Sequence, residues 1–195
     1  MIHLLRCRPR LFNVAHRLSL VSAFSQTNKD ELDCLARYAR GKMTGIEVGT
    51  FMGVSAAVIA KALGAGGPLY CVDPYEGGDS IRQVALRHFA REEVSDRIVQ
   101  IRSFSNEAMR FLPEKADFIF IDGDHSFEGL RIDWELVKAK LAPGGIACFH
   151  DTTMTGDQQG QYCGAAEFFS QHIRMADGFD YLETCHTLNV MRRAL

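Results

Sequence analysis

Two short stretches, "IDGDHS" (121–126) and "CFHDT" (148–152), bring together Asp122, Asp124, His125, His150 and Asp151. Carboxylates and imidazoles in that concentration suit proton transfer or the binding of a divalent cation, because so much charge is costly to gather unless it is paired or faces a cation. A second set lies upstream in "GIEVGTFMG" (45–53) and "CVDPY" (71–75), where Glu47 and Asp73 flank a loop carrying Thr50 between Gly49 and Gly53. Such a carboxylate suits a cationic group, and one at a strand end can accept both hydroxyls of a ribose. The glycines leave bare backbone on which a ligand can lie.

Short strand-like runs alternating with helical ones must position these groups: "GIEVG", "SAAVIAKAL", "PLYCVD", "SIRQVALRHFAREEV", "IVQIR", "NEAMRFL", "DFIFID", "SFEGLRIDWELVKAKL" and "GIACFHD". Alternating βαβα predicts parallel strands with helices on both faces, since right-handed crossovers carry each helix over the sheet. A first helix is expected from Thr27, capped by Thr27 with Asp30 three residues on. At the far end "FDYLETC" and "LNVMRR" are separated only by His186 and Thr187. Two residues cannot make a parallel crossover, so these strands form an antiparallel hairpin. Trp134 falls at helical spacing with Phe127, Leu130, Val137 and Leu141 and is read as core.

Ligands of open parallel sheets bind at the carboxyl ends of the strands. Glu47 to Gly53, Asp73, Ser103 to Asn106, Asp122 to His125 and His150 to Thr152 all follow strand-like runs, so one rim collects nearly all the chemistry. Ser105 and Asn106 are read either as helix caps or as ligand contacts.

With 195 residues, 47% of them hydrophobic, the chain has enough for one core, expected over 27–195 behind an N-terminal extension over 1–26. A formal net charge of −2 gives no basic footprint for nucleic acid. No run approaches the ~20 apolar residues of a membrane span. Six scattered cysteines without a CxxC pair suit a reducing, cytoplasmic setting. The extension carries Arg6, Arg8, Arg10 and Arg17 with no acid before Asp30. It reads as a transit peptide, or as an amphipathic segment packing its Leu4, Leu5, Leu11 and Val14 face on its own domain or on the second copy of a homodimer. This segment and the polar loop from Thr153 to Gln161 are candidate lids.

Asp73 alone would equally fit a dinucleotide and a nicotinamide-dependent oxidoreductase. The GxGxxG fingerprint, however, would need glycines at Phe51 and Val54. The E-x-G-x-x-x-G of Glu47, Gly49 and Gly53 instead resembles the first motif of class I methyltransferases that use S-adenosylmethionine. The resemblance covers residues 27 to 193. It implies a Rossmann-like three-layer sandwich with a seven-stranded, mostly parallel sheet, order 3-2-1-4-5-7-6 with an antiparallel last strand. It further implies S-adenosylmethionine held by Glu47, Gly49, Thr50, Gly53, Asp73, Ser105, Asn106 and Asp122.

The stretch "DFIFIDGDHSFEGLRIDWELVKAKLAPGGIACFHDT" is similar to the small-molecule O-methyltransferases that act on sugars, macrolides or catechols. That likeness implies O-methylation of a small-molecule hydroxyl, with Asp124 or His125 as the base. It also implies Asp122 and Asp151 as ligands of Mg2+ or Mn2+. His150 stands where those enzymes carry an aspartate, and a histidine there would shift preference toward manganese, iron or zinc. A rival from outside catalysis is a cofactor-binding module of the same fold.

Overall fold

The computed structural model describes residues 8–153 and 163–195. Seven strands form one sheet: β1 (Gly45–Val48), β2 (Leu69–Val72), β3 (Ile98–Ile101), β4 (Ala116–Ile121), β5 (Leu141–Phe149), β6 (Phe179–Cys185) and β7 (Leu188–Arg193). Their order is β3-β2-β1-β4-β5-β7-β6. The first five run parallel, and β7 is antiparallel to both β5 and β6. His186, at φ 52°, makes the tight hairpin turn that two intervening residues demand.

The central strands are buried on both faces, as near-continuous apolar runs require. In β4, Ile119 and Ile121 pack into one apolar cluster while Phe118 and Phe120 pack into the other; in β5, Ala147 and Phe149 oppose Ile146 and Cys148 in the same way. The helices are α1 (Pro9–Arg17), α2 (Lys29–Ala39), α3 (Val54–Ala62), α4 (Asp79–Arg91), α5 (Ser105–Ala108), α6 (Phe127–Lys140) and α7 (Cys163–Phe168), the last continuing into a π turn, Phe169–Ile173. Helices α6 and α7 cover the first cluster with Leu130, Trp134 and Phe168; α2, α3 and α4 cover the second with Leu35, Ile59 and Phe89. Trp134 is core, its ring 4.7 Å from that of Phe179 and 6.0 Å from that of Phe149.

The cap of α2 lies one residue beyond the expected Thr27 and Asp30. Asn28 accepts from the Glu31 amide, and Glu31 reciprocates by accepting from the Asn28 amide, both at 3.0 Å. That reciprocal pair satisfies two orphan donors at once. Ser126 caps α6 by accepting from the Gly129 amide at 2.9 Å.

Helix α1 packs on α4 of its own chain, by a face other than the expected leucine face. Phe12 and His16 are buried there, whereas Leu11 and Val14 are exposed and Leu4 and Leu5 lie outside the described residues. The ring nitrogens of His16 lie 3.4 Å from Arg87 Nε and 3.0 Å from Arg91 Nη1, and its carbonyl accepts from Arg91 at 2.7 Å. Burial, reinforced by Arg91, Arg87 and His88, lowers its pKa to about 4. Phe12 meets Phe24 edge-on at 5.9 Å, and Phe24 meets Phe51 at 5.3 Å, which carries the packing to the rim of the sheet.

Candidate functional site

The loop after β1 turns sharply under backbone constraints of its own. Gly49 and Gly53 have φ of 90° and 81°, the left-handed region that glycine enters at no steric cost. A Cβ at Gly49 would lie 1.9 Å from the Asp122 carbonyl oxygen, and one at Gly53 would lie 2.4 Å from the Phe89 ring. The glycines are therefore demanded first by the approach of the loop to β4 and α4. Phe51 also has positive φ, 48°, and its amide donates to Asp73 Oδ2 at 2.7 Å. The other Asp73 oxygen accepts from the Tyr75 amide at 2.6 Å. Both oxygens keep a further lone pair for a hydroxyl.

Beyond these strand ends lies a cavity of about 680 Å3, a size suited to a nucleoside-bearing ligand. Of the expected residues, Gly49, Thr50, Gly53, Asp73, Ser105, Asn106, Asp122, Asp124 and His125 line it; Glu47, His150 and Asp151 do not. Glu47 lies fully buried behind the loop, where Oε1 accepts from the Ser55 hydroxyl at 2.7 Å and Oε2 has no well-formed hydrogen bond. Burial raises its pKa to about 8, with the Asp122 charge adding and the Ser55 hydroxyl opposing.

Asp122, His125, His150 and Asp151 come together as the charge pattern implied. His150 Nδ1 is 3.0 Å from Asp122 Oδ1 and 3.5 Å from Asp151 Oδ2, and His125 Nε2 is 3.9 Å from the same two oxygens. Behind them, Glu31 brings Oε2 to 3.2 Å from His150 Nε2. Its Oε1 accepts from the Thr187 amide at 3.0 Å and the Thr187 hydroxyl at 2.8 Å. Burial alone would lower His150, but contacts with Asp122, Asp151 and Glu31 raise its pKa far above the ordinary histidine value. Burial alone would raise Glu31, but His150, the Asn28 amide and Thr187 hold it well below the carboxylate range. Asp151 is likewise lowered, chiefly by His150 against the effect of burial.

This donor set does not fit a divalent cation as it stands. Carboxylates face both His150 nitrogens, Glu31 at Nε2 and Asp122 and Asp151 at Nδ1, though Nδ1 makes no well-formed hydrogen bond; they favour the imidazolium, which has no lone pair to give a metal. Its Nδ1 already faces both Asp122 and Asp151, the two oxygen donors a metal would need. Among the described residues no group of three or more His, Cys, Asp and Glu side chains is arranged to hold a metal ion.

Asp124 is absorbed in a turn, its oxygens accepting from the Ser126 amide and hydroxyl, each at 2.9 Å. Ser105 is the first residue of α5, whose cap position is taken by Phe104 with no side-chain bond, and Asn106 Oδ1 accepts from the Glu107 amide at 2.9 Å. Phe24, Ser25 and Gln26 of the N-terminal segment also line the cavity, and two contributors lie outside the sequence expectations: Glu31, and Asp133 of α6. Asp133 alone left a legible signal, an acid amid the apolar helical positions of Leu130, Trp134 and Val137.

A methyltransferase-domain family model matches residues 46–152, which run from β1 to the end of the acidic cluster. The chain resembles the solved structures of cofactor-bound Rv0187 from MTB (15% identity, 95% of this chain and 89% of that one, TM-score 0.72). It also resembles the O-methyltransferase TomG of Streptomyces achromogenes in complex with S-adenosylmethionine (17%, 96% and 90%, 0.68). A third is an O-methyltransferase from Bacillus cereus in complex with S-adenosylhomocysteine (20%, 94% and 87%, 0.67). An uncharacterized protein, y4gI of Sinorhizobium fredii, is 25% identical over 117 residues, and the match spans 13% of that protein's length. Sheet order, loop geometry and the family match agree: the chain belongs to the methyltransferase-domain family and has the fold of the class I S-adenosylmethionine-dependent methyltransferases.

Proposed function

We propose that this protein transfers a methyl group from S-adenosylmethionine to a hydroxyl of a small molecule, with His125 as the general base. The observation that carries the reading is the position of His125, on the cavity wall and 3.9 Å from two carboxylates. The TomG and Bacillus cereus structures, both O-methyltransferases, support the choice of oxygen as acceptor.

The residues present suit the cofactor: a glycine turn, a strand-end carboxylate with two open lone pairs, and a cavity of nucleoside size. Gly49, Thr50 and Gly53 would support its amino-acid end, Asp73 its ribose hydroxyls, and Ser105 and Asn106 its base, while Asp122 borders the reacting end. When bound, S-adenosylmethionine supplies an electrophilic methyl on a sulfonium. A hydroxyl is a weak nucleophile until its proton leaves. His125 accepts that proton at Nδ1, and Asp122 and Asp151, which face its Nε2, stabilise the imidazolium that forms. His150, held by Glu31, faces both carboxylates with Nδ1 and offsets their charge. No step is routed through a metal, since the donor set does not suit one.

Phe24, Ser25 and Gln26 close the cavity from the N-terminal side and would meet the acceptor; residues 154–161 of the other candidate lid lie outside the described residues. The exposed Leu11, Val14, Leu18 and Leu20 support a homodimer through this segment. Among the described residues no helix is long and apolar enough to cross a membrane, and the free thiols at Cys34, Cys71, Cys148 and Cys185 favour a cytoplasmic setting. The test is incubation with methyl-labelled cofactor and a panel of phenolic and sugar hydroxyls. Labelled methyl ether in wild type, lost in His125→Ala, is the expected result. Label transferred equally by both proteins would remove His125 from the chemistry.

A further inference from the structure

Asn189 of β7 is 2% exposed and has no part in the chemistry above. It pairs with Phe149 at the end of β5 on one side and with Thr184 of β6 on the other. A buried side-chain amide needs its donors and its acceptor matched, and here they are. Its Oδ1 accepts from the Thr184 hydroxyl at 2.6 Å and from the Tyr181 hydroxyl at 3.4 Å. Its Nδ2 donates to the hydroxyls of Thr152 and Thr153, both at 2.9 Å. The orientation of the amide is dictated by Thr152, which gives its hydroxyl proton to the Phe149 carbonyl at 2.9 Å and so keeps only lone pairs for Asn189.

Those bonds close a turn. The Thr152 hydroxyl reaches back three residues to Phe149, and the Thr152 amide donates to the Thr187 carbonyl at 3.1 Å. Within the turn stands Asp151 at φ 52°, a left-handed conformation that a residue with a Cβ keeps only where its surroundings hold it. In an extended strand, neighbouring side chains point to opposite faces. The bend at Asp151 instead brings its carboxylate to the side of the His150 ring, 3.5 Å from Nδ1, and to 3.9 Å from His125 Nε2. Resting on the methyl-transfer reading proposed above, we infer that Asn189 is a positioning residue: anchored by Thr184 and Tyr181, it locks the turn at 149–152 and so holds the Asp151 carboxylate on His125. Asn189 does not line the cavity, so it acts only through that turn.

Kinetics with methyl-labelled cofactor and the phenolic or sugar hydroxyl that wild type labels fastest test this. Asn189→Leu, which keeps the bulk and removes the amide, is expected to lower kcat about tenfold or more, since a displacement of about 1 Å can cost on the order of a hundredfold. The acceptor KM and the affinity for S-adenosylhomocysteine should stay within about threefold of wild type. Thr152→Val should behave like Asn189→Leu, and Thr152→Ser, which keeps the hydroxyl, should retain most of the rate. Added to Asp151→Ala, Asn189→Leu should lower kcat by no more than about twofold further, because the group it positions is gone. The same loss with and without Asp151, or Thr152→Ser as impaired as Thr152→Val, overturns the inference. Crystal structures of Asn189→Leu, or of Thr152→Val if the first is not recovered folded, need no acceptor. Asp151 is expected to leave its left-handed conformation and its carboxylate to leave His125; an unchanged turn overturns the inference. If wild type labels no acceptor, the methyl-transfer reading falls, and the crystal structures still decide whether Asn189 holds Asp151.

Discussion

Glu31 Oε2 stands 3.2 Å from His150 Nε2, although 119 residues separate them in the chain. That contact ties the cap of α2 to the end of β5, and through His150 to Asp122 and Asp151. Glu31 closes the capping box, holds Thr187 beside the hairpin turn and faces the imidazolium, all with one carboxylate. Removing one partner of a buried ion pair typically costs about 3–5 kcal/mol, because the other is left charged and unpaired. Glu31→Gln should therefore lower the thermal midpoint by roughly 6 °C or more. A midpoint within about 1 °C of wild type would show that the pair contributes nothing.

Since His150 Nδ1 already faces both aspartates, turnover should be indifferent to chelation. Dialysis against excess EDTA is expected to leave the rate within about twofold of untreated protein. A loss restored by magnesium or manganese would contradict the imidazolium reading of the cluster.

His125→Ala should lower the rate about 10²–10⁴-fold, the usual contribution of a positioned general base. Affinity for S-adenosylhomocysteine should stay within about threefold of wild type, because His125 is assigned to the acceptor's proton and not to the nucleoside. A parallel fall in both quantities would indicate that the ring shapes the cofactor site instead.

Much of this arrangement was legible in the sequence. The alternation of apolar strands with helical runs gave β1 to β5, and a two-residue gap forced the β6–β7 hairpin, because both rest on local periodicity and chain connectivity. The rim residues followed from strand ends alone. What local pattern could not supply were partners distant in sequence. Glu31 reads as an ordinary first-turn acid until His150 and Thr187 fold against it. The expected leucine face of the N-terminal helix yields to Phe12 and His16 because Phe12 packs with Met52 and Val84, while Arg87 and Arg91 of α4 meet His16. The glycine spacing by itself points to a ligand, whereas Asp122 and Phe89 already dictate Gly49 and Gly53.

Glu47 gives a dependence on pH with a definite sign. Its pKa rises on folding to about 8 from the ordinary carboxylate value of 4.5. The folded state thus retains a proton that the unfolded chain loses, and stability falls as pH rises between those values. Glu47→Gln mimics the protonated form, so it should stabilise the ligand-free protein by at least about 1 kcal/mol near pH 8 and have little effect near pH 5. Thermal melts of both proteins at the two pH values decide it; an equal effect at both would mean that Glu47 is ionised in the fold.

His16 has the opposite sign. Its pKa falls on folding from 6.5 to about 4, so the unfolded chain binds the extra proton and stability falls as pH drops from 6.5 toward 4. Hydrogen exchange in α1 should quicken over that window in wild type and lose its pH dependence in His16→Gln, after correction for intrinsic exchange. Identical profiles for the two proteins would place the sensitivity elsewhere.

The most direct measurement is a calorimetric titration of the ligand-free protein with S-adenosylhomocysteine, repeated with Asp73→Ala and with NAD. Saturable binding at one site, weakened about tenfold or more by loss of Asp73 and absent with NAD, is the predicted result. No heat at millimolar S-adenosylhomocysteine, or tighter binding of NAD, would contradict it.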